Sequence, residues 1–249
     1  MILSRRHRFV FVKGMKVAGT SVELALSAIC GPDDIITPVS PVDEKLRVDA
    51  GHPPRNFAVE LATEQEYVAR IRQTERERLH EIEMPRTALR FWNHMPLAEV
   101  ERRLESSLDA YKVICVERSP YEKAVSLAHW MLNAFEYRQG QPLRFDVAKT
   151  RGALDQLIRD GAILQCRNID RYRRANGVLA VDALRFDMLA DDFAGLMKRL
   201  GVPGPPPGLP HVKGGNYRVR PIDVLSMRQI AAINDLFAEE FTFFGHAKL

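Results

Sequence analysis

The chain has 249 residues, 46% of them apolar and 27% charged, with a formal net charge of +4 and a pI of about 9.0. That is ordinary globular composition, which excludes disorder as the main state, and it is long enough for one large α/β domain with a substantial core. The Lys and Arg residues are dispersed and form no basic stripe interleaved with aromatics, so the excess charge mildly favours anionic ligands and does not indicate a nucleic-acid partner.

Cys30, Cys115 and Cys166 are odd in number and far apart, with neither metal-ligand spacing nor a disulfide framework; buried free thiols are expected. A basic cluster, Ser4 to Arg8, precedes the apolar run Phe9 to Val12, which is too short for a signal segment or a membrane span. The expectation is a cytoplasmic protein with no stable membrane span.

Phe9 to Val12 is rich in β-formers, and Val22 to Ile29 has helical spacing ended by Gly31-Pro32, so the chain opens as strand, glycine loop, helix. Residues 31–57 are rich in Pro, Asp and Gly and read as an excursion, and Glu60 to Glu83 as one or two exposed helices; within these the Glu/Arg run Glu64 to Glu83 reads as a solvated face or as an acceptor-binding lid, and together 31–87 form a variable insert. Core pattern resumes with a strand at Ala88 to Trp92 and a helix over Leu97 to Leu104. Tyr111 to Val116 is the clearest buried strand. Ser119-Pro120-Tyr121-Glu122 then combines an N-cap serine, proline at the first helical position and a glutamate three residues past the cap, predicting a helix to about Asn133. Two helices over 146–175, a strand near Ala183 to Phe186, a helix over Leu189 to Leu200, a Pro/Gly-rich loop from Gly201 to Gly215 and a helix over Leu225 to Phe243 complete the chain. Strands alternating with helices predict a single α/β domain over 1–249, with a mostly parallel central sheet covered by helices on both faces.

The chemistry concentrates in Gly14-Met15-Lys16-Val17-Ala18-Gly19-Thr20-Ser21. The glycine spacing is that of a P-loop, G-x-x-x-x-G-K-[ST], but Thr20 stands where that motif has lysine, and the lysine lies inside the loop as Lys16. A strand feeding a helix through such a loop directs backbone N–H groups and the positive end of the helix dipole at an anion, with Thr20 and Ser21 adding hydroxyl donors. The plainer reading is a strand-to-helix turn with a hydroxyl cap and a solvated lysine.

Arg118 follows the buried strand and precedes the capped helix, with Ser126 eight residues on. An arginine at a helix N-terminus opposes the dipole unless an anion sits there too. Separately, Arg118 reads as well as a surface ion pair to Glu117 or Glu122, and Ser126 as a small residue at a helix contact. Taken with the first loop, they suit a ligand carrying two separated phosphate groups.

These residues resemble the sulfotransferases that use 3′-phosphoadenosine 5′-phosphosulfate (PAPS). Lys16 to Ser21 is similar to the family's 5′-phosphosulfate loop in the P-K-T-G-G-T-S form of the carbohydrate sulfotransferases, with Met15 in place of proline and Val17-Ala18 in place of Thr-Gly. Glu117 to Ser126 resembles the 3′-phosphate motif R-[DN]-P-x-x-R-x-x-S, with Ser119 for the acidic or amide residue and Lys123 for the second arginine. Leu184 to Leu189 resembles the R-Y-E-D-L segment, and Glu240 to His246 the closing D-[FY]-x-x-F-G-Y, so the resemblance covers about residues 8–246 apart from the insert.

The resemblance implies transfer of a sulfuryl group from PAPS to a hydroxyl or amine, with no metal required. Lys16 would stabilise charge on the departing phosphate oxygen; Lys16, Val17, Ala18, Gly19, Thr20 and Ser21 would bind the 5′-phosphate, and Arg118 and Ser126 the 3′-phosphate. The loop Leu209 to Tyr217, with Lys213 and Gly214, reads either as a flap over the 3′-phosphate or as a connector. His94, at the end of a predicted strand and in a segment, Asn93 to Leu97, that resembles the histidine stretch of the uronyl 2-O-sulfotransferase branch, is the candidate general base, with His52 and Glu60 as rivals. A small-molecule, glycan, lipid or natural-product acceptor all fit. An atypical P-loop kinase or NTPase and a non-catalytic nucleotide-binding protein are the alternatives.

Overall fold

A computed structural model describes residues 1–104, 107–138, 144–210 and 219–249. In chain order its elements are β1 (Ile2–Ser4), β2 (Phe9–Phe11), α1 (Gly19–Ser27), β3 (Ile35–Ile36), α2 (Pro41–Asp49), α3 (Leu61–Gln73), α4 (Leu97–Arg103), β4 (Lys112–Glu117), α5 (Pro120–Leu132), α6 (Ala134–Arg138), α7 (Val147–Arg159), β5 (Asp182–Arg185), α8 (Leu189–Arg199), α9 (Pro221–Val224), α10 (Met227–Leu236) and α11 (Ala238–Phe244). Short 3₁₀ turns lie at Arg76–Glu81, Ala162–Cys166, Ile169–Tyr172 and Phe186–Met188. No helix among the described residues is long and apolar enough to cross a membrane.

The protein is α/β, with one five-stranded sheet in the order β3-β1-β2-β4-β5. The sheet is mixed where the alternation of elements predicts mostly parallel: β1 runs antiparallel to both β2 and β3, and β2 pairs parallel with β4 in the register Phe9↔Lys112 to Phe11↔Ile114. β1 has no counterpart in the sequence expectation, because its three residues lead straight into the basic cluster. The expected strand at Ala88 to Trp92 is absent; its only ladder contact is an isolated bridge of Leu89 with Ala58, and the amides of Arg90 and Phe91 both donate to the Phe57 carbonyl.

The sequence reads as one domain, and the chain divides into two compact units: residues 1–13, 18–116 and 171–212, and residues 14–17, 117–170 and 213–249. The first holds the sheet. β2 and β4 are central, parallel and apolar, so they run out at the same sheet edge, where the chain leaves them through residues 12–18 and through Glu117-Arg118. All nine residues of α1 are buried, which its run of small and apolar side chains allows.

The 31–87 segment is more structured than its composition suggests. It supplies β3, α2 and α3, and Val48, Phe57, Tyr67, Ile71, Leu79 and Ile82 form a hydrophobic cluster of their own. Glu64, expected on a solvated face, is buried; its carboxylate accepts the amides of Asn56 and Ala58 at 2.8 Å and of Phe57 at 2.5 Å.

The second unit is helical. α5, α7, α10 and α11 meet through Ala124, Leu127, Leu154, Leu157, Ile233 and Phe241. The terminal helix predicted over Leu225 to Phe243 is two helices, α10 and α11, broken at Phe237. The second helix expected within 146–175 is replaced by the two 3₁₀ turns.

Candidate functional site

The loop after β2 alternates in backbone hand. Lys16 (φ 64) and Ala18 (φ 59) are left-handed, whereas Val17 and Gly19 are not, and alternation of this kind turns successive N–H groups toward one point. Ala18 caps α1 with no side-chain hydrogen bond; its carbonyl accepts the Ser21 amide at 3.1 Å, so the amides of Gly19 and Thr20 are those with no acceptor within the helix. Thr20 and Ser21 are nearly buried. Among the described residues neither hydroxyl has a hydrogen-bond partner.

A left-handed alanine is strained, by roughly 1–2 kcal/mol relative to the right-handed form. Ala18→Gly is therefore expected to stabilise the protein by about 1 kcal/mol once the extra freedom of glycine in the unfolded chain is deducted. The urea midpoint reads this directly, and a lower midpoint would show that Ala18 stores no strain.

Lys13 was not singled out in the sequence and organises the first unit's side of the loop. Its side chain is 5% exposed and crosses Gly19, where an added Cβ would lie 2.7 Å from Lys13 Cγ. Gly19 is required here for the close passage of a lysine stem. The Lys13 ammonium reaches Glu23 Oε2 at 2.6 Å, and Glu23 Oε1 accepts from the Met1 amino group at 2.5 Å. Burial alone would raise the Glu23 carboxyl; Lys13 and then the Met1 ammonium outweigh it and hold the carboxyl down to about 2.

His94 also meets Lys13, through backbone. Its Nδ1 lies 3.1 Å from the Lys13 carbonyl oxygen, and because a carbonyl only accepts, Nδ1 carries the hydrogen and Nε2 carries the lone pair. The residue is itself left-handed, with φ 58. Burial, and then the Lys13 charge, push its pKa down to about 3, so the ring is neutral at every ordinary pH. Of the six non-glycine residues with positive φ among those described, three are Lys16, Ala18 and His94, and backbone strain of this kind gathers at functional positions. The rival bases stand on the 31–87 segment: Glu60 is exposed before α3, and His52 follows α2 with burial, and then Arg55, lowering its pKa.

In the second unit, Lys16, Arg118 and Ser126 belong to one surface. On α5 the half-buried positions are Glu122, Ser126 and Trp130, four residues apart and in line with Arg118 just before the helix. The Lys16 ammonium sits over the Trp130 ring, 4.9 Å from its centroid, a cation–π contact. Arg118 Nε lies 3.4 Å from Glu122 Oε2, so the ion pair weighed from the sequence is present. Ser119 is the N-cap residue but its side chain makes no cap hydrogen bond; the expected capping box does not form, because Glu122 is turned to Arg118. Next to Trp130, His129 has Nδ1 3.2 Å from the Asn133 amide nitrogen, and burial, followed by the Lys16 charge, lowers its pKa.

Behind that surface is a buried polar network that no motif reveals. Lys123 Nζ bridges Glu117 Oε2 at 2.8 Å and Glu240 Oε2 at 2.6 Å, all three side chains being at most 2% exposed. Asn168 joins it: its Nδ2 donates to Glu117 Oε1 at 3.1 Å, and its backbone N–H donates to Glu240 Oε1. Lys213 and Gly214, the proposed flap, lie outside the described residues.

Comparison of the chain with family models, with curated proteins and with solved structures finds no match. The functional reading therefore rests on the residues themselves.

Proposed function

We propose that the protein transfers a sulfuryl group from PAPS to an acceptor hydroxyl or amine. The observation that carries this reading is the loop from Lys16 to Ser21: alternating backbone hand, a helix start without a side-chain cap, two unpartnered hydroxyls and a lysine placed within the loop. Those are the donors a 5′-phosphosulfate requires, and the β2-loop-α1 segment is read as P-loop-like on the same ground. Arg118, just before α5, and Ser126, on the half-buried stripe of that helix, supply a cation and a hydroxyl for a second phosphate, at the 3′ position.

When bound, PAPS supplies an SO₃ unit carried on a phosphate leaving oxygen. Lys16 contributes positive charge where that oxygen's charge grows. Thr20 and Ser21 hold the 5′-phosphate through their hydroxyls. His94 accepts the acceptor's proton at Nε2, the lone pair being kept there by the Nδ1–H bond to the Lys13 carbonyl. In the ligand-free protein His94 is a weak base, and its role requires that the anionic ligands raise its basicity in the bound complex.

Calorimetry with adenosine 3′,5′-bisphosphate, 5′-AMP and ATP tests the reading. The bisphosphate is expected to bind about 10- to 100-fold more tightly than 5′-AMP, the worth of a charge-assisted phosphate contact. Arg118→Ala is expected to remove that preference while leaving 5′-AMP affinity unchanged; equal losses for both nucleotides would refute the 3′-phosphate role. Magnesium-dependent ATP hydrolysis without affinity for the bisphosphate would instead establish a kinase or NTPase.

A further inference from the structure

We infer that Asn168 is a positioning residue for Lys16, acting through the backbone of Met15. Its side-chain amide brackets that residue: Oδ1 accepts the Met15 N–H at 2.7 Å, and Nδ2 donates to the Met15 carbonyl at 3.1 Å. This is the pair of hydrogen bonds a neighbouring strand would provide, supplied here in a loop that has no ladder. The amide cannot be reversed, because Nδ2 faces two acceptors, the carbonyl and Glu117 Oε1, while Oδ1 faces a donor.

The bracket is anchored from behind. Asn168 is fully buried, and the backbone amides of Asn168 and Ile169 both donate to Glu240 Oε1, the latter at 3.0 Å. Lys123 holds the remaining oxygens of Glu117 and Glu240. One side chain thus ties the peptide preceding Lys16 to the fully buried ion network, and the next residue is left-handed with its ammonium over Trp130. With Met15 fixed, the direction in which Lys16 leaves the loop is fixed as well. The bracket needs an N–H at position 15, which proline would not provide.

The nucleotide arm of the test rests on the function proposed above, and a fluorescence arm does not. In calorimetry with adenosine 3′,5′-bisphosphate, Asn168→Ala and Lys16→Ala are each expected to weaken binding about 10-fold, and the double variant no further than Lys16→Ala alone. Losses that multiply to about 100-fold would overturn the inference. If the unaltered protein binds no such nucleotide, the proposed function fails, and Trp130 emission in a Trp92→Phe background, where it is the single tryptophan, decides the inference. Asn168→Ala is expected to move that emission to the position given by Lys16→Ala; emission unchanged from the parent would show a merely structural asparagine. Should Asn168→Ala fail to fold, Met15→Pro, which removes the N–H accepted by Oδ1, read against a Met15→Leu control for the lost side chain, replaces it in both arms with the same expected and overturning results.

Discussion

Lys123→Met is expected to destabilise the protein by about 3–5 kcal/mol, the usual penalty for removing one partner of a buried ion pair. The methionine fills the lysine's volume, so the loss is electrostatic and not a cavity. Glu117 and Glu240 would be left facing each other with their desolvation uncompensated. In the native network burial already raises the Glu240 pKa, against the attraction of Lys123, while the two carboxylates outweigh burial to raise that of Lys123. Without the ammonium the carboxyl rises further. A carboxyl whose folded pKa is raised stabilises the fold below that pKa and loses the contribution as pH rises through it. The deficit of Lys123→Met should accordingly be smaller at pH 5 than at pH 8. Urea unfolding at the two pH values measures it; a deficit below about 1 kcal/mol at both would mean that the network is incidental.

His94→Ala is expected to lower turnover by about 10²–10⁴-fold, the range for loss of a positioned general base, on an acceptor found by screening with labelled sulfate. The pH dependence separates this role from simple packing. In the free protein burial and Lys13 hold His94 at about 3, so kcat/KM should stay level with falling pH well below 6.5, where an ordinary histidine would protonate. The acid limb of kcat, which reports the bound complex, should lie higher, because bound anions favour the imidazolium. Coincident limbs near 6.5 would remove His94 from the reaction. Stability carries the same signature without any substrate. Below pH 6.5 the unfolded chain takes up a proton at His94 that the folded chain refuses, so stability is lost progressively as pH falls from 6.5 toward 3. His94→Asn should flatten that part of the curve.

The central strands and helices α1, α4, α5 and α8 were legible because their signals are local, whereas α2 and the break at Phe237 were not. Phe9 to Val12 and Val113 to Val116 are continuous apolar runs, and both lie on strands. Pro120 opens α5 as its fixed φ demands, although the serine before it does not cap. The antiparallel part of the sheet was not legible: Ile2–Ser4 is too short to show a period, and Ala88 to Trp92 has strand composition but joins no strand of the sheet, the Arg90 and Phe91 amides going to the Phe57 carbonyl. Lys16, Arg118 and Ser126 were visible through spacing, and the structure places them on one surface of the second unit. Lys13, Lys123, Asn168 and Glu240 were not visible as a group. Asn168 meets Met15 across 153 positions and Glu240 across 72, and no local pattern encodes a contact at that separation. Burial of Tyr67, Ile71 and Leu79 was masked for a different reason: the charged residues between them dominate the composition of that stretch.

Position 13 has less latitude than any glycine in the loop. Its carbonyl sets the tautomer of His94, its methylene stem fills the space that Gly19 leaves open, and its ammonium answers the carboxylate of Glu23. Arginine would keep the charge but bring a planar fork too broad for the passage over Gly19. Methionine would keep the stem and strand a carboxylate in the core. Two unrelated demands converge on the side chain and a third on the backbone beside it, so random mutagenesis scored for folded, active protein should return lysine at this site almost alone, while Met15, held through its backbone, accepts several residues.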